Sequence, residues 1–331
     1  MADNGKGQFS KSEVFVGGVK AYLYNGDTLE RYVKKQGDIA SKQGRTAEPF
    51  QIPLNVAYLV HGRGQTYQST EGIAYKFLEQ YYEKTKSEVP FVCVTFDDRN
   101  HGERVVDETR NGSWKSGNVH HAVDLVSMVH GIAYDLKLII DYLPSYLNLE
   151  YFLPPGVTEQ QKVVFKYRNI LSGVSLGGHT VIRFAHMYPH LVDVLNPVIG
   201  CSALSSLLLN RLRGTSLDSE DKYKSWFYYD YSELSLDEAA RKELYPEAFH
   251  KYLAAEDASI FESFPFAKIK MFASFGQNDT LVPPALSKTW VDLYLNSNLH
   301  SEAFIQSDAG HEATPEMINK FTTWLVKYIN N

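Results

Sequence analysis

A serine stands between two glycines in "GVSLGG" (173–178), where the apolar run "NILSGV" (169–174) gives way to a helical pattern. A serine hydroxyl attacks a carbonyl only when a base takes its proton, and the base needs an acid to orient it. Both types follow downstream. Asp279 lies in "ASFGQNDTLVPP" (273–284), just beyond an apolar run and ahead of the stiff pair Pro283-Pro284; His311 lies in "SDAGHEATPEM" (307–317), ahead of the last helical stretch. A strand–serine–helix bend lifts the hydroxyl above the strand end. It also turns the unpaired N–H groups of a helix N-terminus toward developing negative charge. Gly173 and Gly177 are expected there because side chains would collide with the neighbouring strand and helix.

The competing residues sit less well. His186 and His190 fall near the end of the helix after Ser175, His300 precedes the last strand, and Asp308 starts a turn, where it reads as a local backbone cap. His179 reads as packed on its own helix. In "FDDRNHGERVVDETRNGSW" (96–114), Asp98, Arg99 and His101 read as a buried polar network rather than as catalysts. His101, His120 and His121 have no familiar ligand spacing, so no metal is expected.

The elements that must position these residues alternate. "EVFVGGVKAYLY" (13–24) predicts two short strands around a Gly-Gly turn, and the polar, Lys- and Gln-rich stretch up to "EPFQIPLN" reads as surface connection. Buried strands are then predicted within 55–65, 89–102, 169–174, 192–204, 268–276 and 301–308. Helices are predicted over 73–85, 120–143, after Ser175, over 283–295 and over 314–329. The last has Thr314 as N-cap, Pro315 in its first turn, and Met317, Phe321, Leu325 and Tyr328 on one face. Short apolar strands alternating with helices predict a parallel sheet covered on both faces, so Ser175, Asp279 and His311 fall at carboxyl ends of strands. Residues 205–265 break the alternation. They hold no clear strand, but a helical piece at 235–244 with a Ser235/Glu238 capping box and the aromatic cluster "YKSWFYYDY" (223–231). That segment reads as a helical cap inserted in a core made of 1–204 and 266–331.

With "HGRGQ" (61–65), "GVSLGG", "GQNDTLVPP" (276–284) and "GHE" (310–312) in place, the chain resembles the α/β-hydrolase superfamily over roughly residues 53–330. The resemblance implies an eight-stranded, mostly parallel sheet, a cap and a nucleophilic mechanism without cofactor. It implies Ser175 as nucleophile, His311 as general base and acid, Asp279 as the orienting carboxylate, and an oxyanion hole from the N–H groups of Leu176 and Arg63, with Gly64 as the alternative donor to Arg63.

Length and composition set the remaining bounds. The 331 residues are 44% hydrophobic and 22% charged, ordinary for a globular protein, with 22 Tyr and 18 Phe to fill a core or an apolar pocket. The net charge of −6 argues against a nucleic-acid binder and against a strongly anionic substrate, although Arg63 and Arg99 could anchor a single carboxylate. No run approaches a membrane span, and "MADNGKGQFSKSEVF" lacks the apolar centre of a secretory leader. Cys93 and Cys201 lie in strand-like contexts and read as buried, inert thiols. Of the two sequons, at Asn111 and Asn278, the second abuts Asp279 and weighs against secretion. A cytoplasmic location is therefore expected.

The leading expectation is a serine hydrolase acting through an acyl-enzyme on esters or thioesters of moderately large apolar groups, with Arg99, Trp226, Phe227 and Tyr228 as candidate pocket residues. A single-domain peptidase or aminopeptidase, or an acyltransferase, would use the same three residues. A non-enzymatic ligand receptor of the same fold is the reading from a different class. The sequence leaves monomer and homo-oligomer both open.

Overall fold

The computed structural model describes residues 8–43, 47–160, 162–216 and 219–329. The residues read first for a leader thus lie partly outside the described ones.

Among the described residues, eight strands form one sheet: β1 (Lys11–Val16), β2 (Val19–Tyr24), β3 (Phe50–Val60), β4 (Phe91–Phe96), β5 (Val163–Val174), β6 (Val194–Val198), β7 (Lys270–Gly276) and β8 (Glu302–Gln306). Their order is β1-β2-β4-β3-β5-β6-β7-β8. The β1/β2 and β2/β4 pairs are antiparallel and every other pair is parallel, as the alternating pattern predicts. The helices are α1 (Thr28–Gln43), α2 (Tyr67–Lys84), α3 (His121–Leu147), α4 (Val157–Gln160), α5 (Leu176–Met187), α6 (Leu204–Arg213), α7 (Glu247–Ser263), α8 (Lys288–Ser297) and α9 (Pro315–Ile329).

Period-two alternation in buried strands sends neighbouring residues to opposite faces. Val56, Tyr58 and Val60 join the core under α1, α3, α5 and α8, whereas Ala57 and Leu59 join the core under α2 and α9. The sheet is thereby dry on both sides. Its carboxyl edge is left as the place where loops can gather polar groups.

Two sequence expectations need correction here. The stretch read as surface connection contains α1, whose Leu29, Tyr32, Val33, Gly37 and Ala40 are buried. Their spacing of three and four residues is that of one helical stripe, masked by Lys, Gln and Glu on the outer face. The predicted Ser235/Glu238 box is not what caps the helical turn there; the Asp237 side chain accepts the N–H of Ala240 instead, at 2.8 Å. At the other end of the chain, Thr314 Oγ1 accepts the N–H of Met317 ahead of Pro315, as expected.

Between β6 and β7 every element among the described residues is helical: α6, α7 and short 3-10 or π turns. It is tied to α5 by a buried ion network. Arg183, fully buried, donates to Glu256 at 3.0 Å and to Asp257 at 2.5 Å. The second oxygen of Asp257 accepts both the N–H and the hydroxyl of Ser205. His130 of α3 meets the other Glu256 oxygen at 2.7 Å. Each buried charge therefore has a partner, the condition under which such charges are tolerated in an interior.

Candidate active site

Ser175 sits in the turn between β5 and α5 with φ 55° and ψ −109°, a region that L-residues with a side chain seldom adopt. Strain of this kind costs on the order of 1–3 kcal/mol and persists only where surrounding bonds over-determine it. Here Ser175 N–H donates to Val198, Gly177 N–H donates to His61, and His179 N–H donates to the Ser175 carbonyl. The flanking glycines follow from the same crowding. A Cβ on Gly173 would overlap the Gly177 carbonyl, and one on Gly177 would overlap the Val60 carbonyl.

The structure brings the three separated residues together. Ser175 Oγ lies 2.8 Å from His311 Nε2, and His311 Nδ1 lies 2.7 Å from Asp279 Oδ2. Because a carboxylate only accepts, the imidazole donates its Nδ1–H to Asp279, which leaves Nε2 free to accept the serine proton. The other Asp279 oxygen accepts the N–H groups of Leu281 and Val282, both at 2.8 Å, and the carboxylate is almost fully buried. Asn278 joins the acid loop to the histidine loop: its N–H donates to Ala309 and its side-chain amide to Ser307. The sequence reading missed that link, although Asn278 stands beside Asp279.

Leu176 is the first residue of α5, so its N–H has no partner within the helix. Among the described residues no acceptor meets the N–H of Leu176 or of Arg63. Arg63 lies in the turn after β3, where Gly64 takes φ 73° and the Gln65 side chain accepts the Gly62 N–H. That turn rests on His61. Its Nε2 accepts the Asp98 N–H at 3.0 Å and its Nδ1 faces the Gly62 carbonyl at 2.8 Å, so the neutral ring is satisfied on both sides. Burial pushes its pKa down to about 4.

A cleft of about 710 Å³ opens over Ser175 and His311. Ile73, Leu125, Val174 and Ile199 supply apolar wall, and Leu176, Arg63 and Arg211 also line it. The four residues expected in a pocket lie elsewhere. Trp226 and Phe227 are buried in the core of the helical segment, Phe227 against Phe261 at 4.9 Å, and Tyr228 is largely exposed. Arg99 is held by Asp135 of α3 through two hydrogen bonds. Asp98 and His101 are buried, but Arg99 is half exposed and, among the described residues, the Asp98 carboxylate accepts no hydrogen bond, so the three do not make the buried polar network read from the sequence. Asp308 is exposed and accepts from the Gln306 side chain rather than capping backbone. His179 is buried on α5 and accepts the N–H of Cys201.

His121, beside Arg63, gives the site a measurable pH response. Burial first, then the charges of Arg63 and Arg211, push its pKa down to about 4. The folded group is thus neutral where the unfolded one, near 6.5, begins to protonate. Its contribution to stability is complete above pH 6.5 and is lost as pH falls toward 4, on the order of 3 kcal/mol in all. Urea titrations of wild type and His121→Gln at pH 6.5 and pH 4 should therefore show a smaller acid loss for the variant. Equal losses would contradict the assignment.

Compared by sequence, the chain matches no family model and no curated protein. Compared by structure, it is similar to TT1662 from Thermus thermophilus, with 13% identity and a TM-score of 0.55 over 98% of this chain and 99% of that one. It is likewise similar to Est1E from Butyrivibrio proteoclasticus, in a structure with bound ferulic acid, with 14% identity and a TM-score of 0.51 over 97% and 100%. The eight-stranded, mostly parallel sheet with its flanking helices matches the fold of these structures over their full length. The chain has the α/β-hydrolase fold. In an α/β-hydrolase fold the carboxyl edge of the sheet gathers the polar loops, and Ser175, Asp279, His311 and the cleft all lie there.

Proposed function

We propose that the protein is a serine hydrolase that cleaves carboxylic esters or thioesters through an acyl-enzyme on Ser175. The observation that carries this reading is the continuous hydrogen-bonded path Ser175–His311–Asp279, 2.8 and 2.7 Å long, at the base of an accessible cleft. Ser175 Oγ attacks the carbonyl carbon while His311 Nε2 takes its proton, and Asp279 stabilises the resulting imidazolium. The carbonyl oxygen, now negative, accepts from the N–H groups of Leu176 and Arg63. A donor of this kind contributes about 2.7–4 kcal/mol to the transition state. His311 then passes the proton to the leaving alcohol or thiol. In the second half, His311 takes a proton from water, the hydroxide attacks the acyl carbon, and Ser175 regains its hydrogen as the acid departs.

None of these steps calls for a cofactor. The apolar wall suits an acyl or alcohol group of moderate size. We assign residues 205–265 as the lid over a core formed by the rest of the chain, and place the protein in the cytosol, in keeping with two buried free cysteines. Among the described residues no helix is long and apolar enough to cross a membrane.

A panel of p-nitrophenyl esters from C2 to C12 beside aminoacyl-p-nitroanilides tests the reaction class. Ester turnover well above anilide turnover is expected; a preference for anilides would replace the esterase reading by a peptidase one on the same residues.

A further inference from the structure

Two arginines face the cleft without a carboxylate. Arg63 and Arg211 both line it, and among the described residues neither makes an ion pair. Their hydrogen bonds go to backbone oxygens: Arg63 Nη1 to Asn111 at 3.1 Å, Arg211 Nε and Nη2 to Leu281 at 3.3 and 2.7 Å. A guanidinium carries five N–H donors, so donors remain unused on both. Arg63 is worse served than its contacts suggest. His121 Nδ1, 3.5 Å from it, lies 3.0 Å from the Gly112 carbonyl and so spends its proton there, which sets donor against donor.

The two buried acidic residues near the cleft are committed elsewhere, and the third, Glu312, pairs with neither arginine. Glu71 holds Lys11 at 2.6 Å and accepts from Tyr24, Asp279 is turned to His311, and Glu312 is exposed. Lys76 on the rim adds further positive charge. Burial, followed by repulsion from Arg63, pushes Arg211 down to about 10. Two like charges in a partly desolvated cleft are costly unless an anion meets them. In a chain of net charge −6 this cationic wall is a local feature rather than a general one.

We propose that Arg63 and Arg211 bind an anionic group of the carboxylate class on the substrate, so that the preferred ester carries a fixed negative charge besides its scissile bond. This rests on the hydrolase reading above. It also replaces Arg99, which the sequence suggested as Arg63's partner in anchoring a carboxylate, by Arg211 from α6.

Matched ester pairs test it. Mono-p-nitrophenyl glutarate against p-nitrophenyl pentanoate places the charge on the acyl side; 4-acetoxybenzoate against its methyl ester places it on the alcohol side. Wild type should favour the anionic member of at least one pair by about tenfold or more in kcat/KM, the size expected for one hydrogen bond to a charged group. Added sodium chloride should shrink that preference. Arg211→Gln should lower the anionic-to-neutral ratio about tenfold, and Arg211→Lys should restore part of it. A purely structural arginine would lower both members alike and leave the ratio unmoved. No anionic preference in either pair, or a ratio unchanged in Arg211→Gln, would overturn the proposal. The wild-type ratio and its salt dependence decide the matter even should the variant not fold. A neutral fluorophosphonate separates the two claims: labelling of Ser175 without anionic preference sinks this inference alone, whereas neither labelling nor ester turnover sinks the hydrolase reading.

Discussion

Replacing Ser175 by alanine should lower kcat for p-nitrophenyl ester hydrolysis by about 10⁴-fold to 10⁶-fold, while the folded protein keeps its thermal stability. The size follows from the role. Without the hydroxyl there is no acyl-enzyme, and what remains is the binding and oxyanion stabilisation that the cleft gives to attack by water. Stability should change little because alanine inherits the same φ of 55° and the backbone bonds that impose it. Initial rates over a range of substrate, with near-UV circular dichroism as the check on folding, measure both halves. A variant retaining a tenth of the wild-type rate would mean that another residue carries the nucleophile.

Asp279→Asn should cost about 10⁴-fold in kcat, for a reason visible in its hydrogen bonds. One carboxylate oxygen accepts two backbone N–H groups, from Leu281 and Val282, and must stay an acceptor. In the asparagine variant the amide oxygen therefore takes that position, and the NH₂ group faces His311 Nδ1. A donor there forces the imidazole proton onto Nε2, the nitrogen 2.8 Å from Ser175 that has to accept. The ring stays in place and the tautomer is wrong. Rate measurements should show kcat falling far more than KM rises, with part of the activity returning at high pH. A change confined to KM would point to a role in binding.

How far these residues could be read in advance depended on where each one's signal is stored. Ser175, Asp279 and His311 each follow an apolar strand and precede a helix start, so local pattern alone places them at one edge of a parallel sheet. Helix α1 was hidden because its buried stripe, Leu29, Tyr32, Val33, Gly37 and Ala40, is diluted by long polar side chains that dominate the composition. Aromaticity alone makes Trp226 and Phe227 pocket candidates in the sequence. An aromatic ring fills a core as readily as a cleft, and only the packing on Phe261 and the neighbouring helices distinguishes the two. Arg211 lies at the other extreme. Nothing near it in sequence marks it, and only the tertiary fold brings it, from α6, into the cleft that Arg63 also lines. The supporting contacts of Asn278 and Gln65 are tertiary in the same sense, although each stands within a stretch that the sequence already singled out.

The covalent claim at the centre can be observed directly. Intact-mass and peptide mass spectrometry after brief exposure to a fluorophosphonate should find one adduct, on the peptide containing Ser175, lost when His311 is replaced by alanine. An adduct on a different residue, or none on protein that still turns over esters, would contradict it.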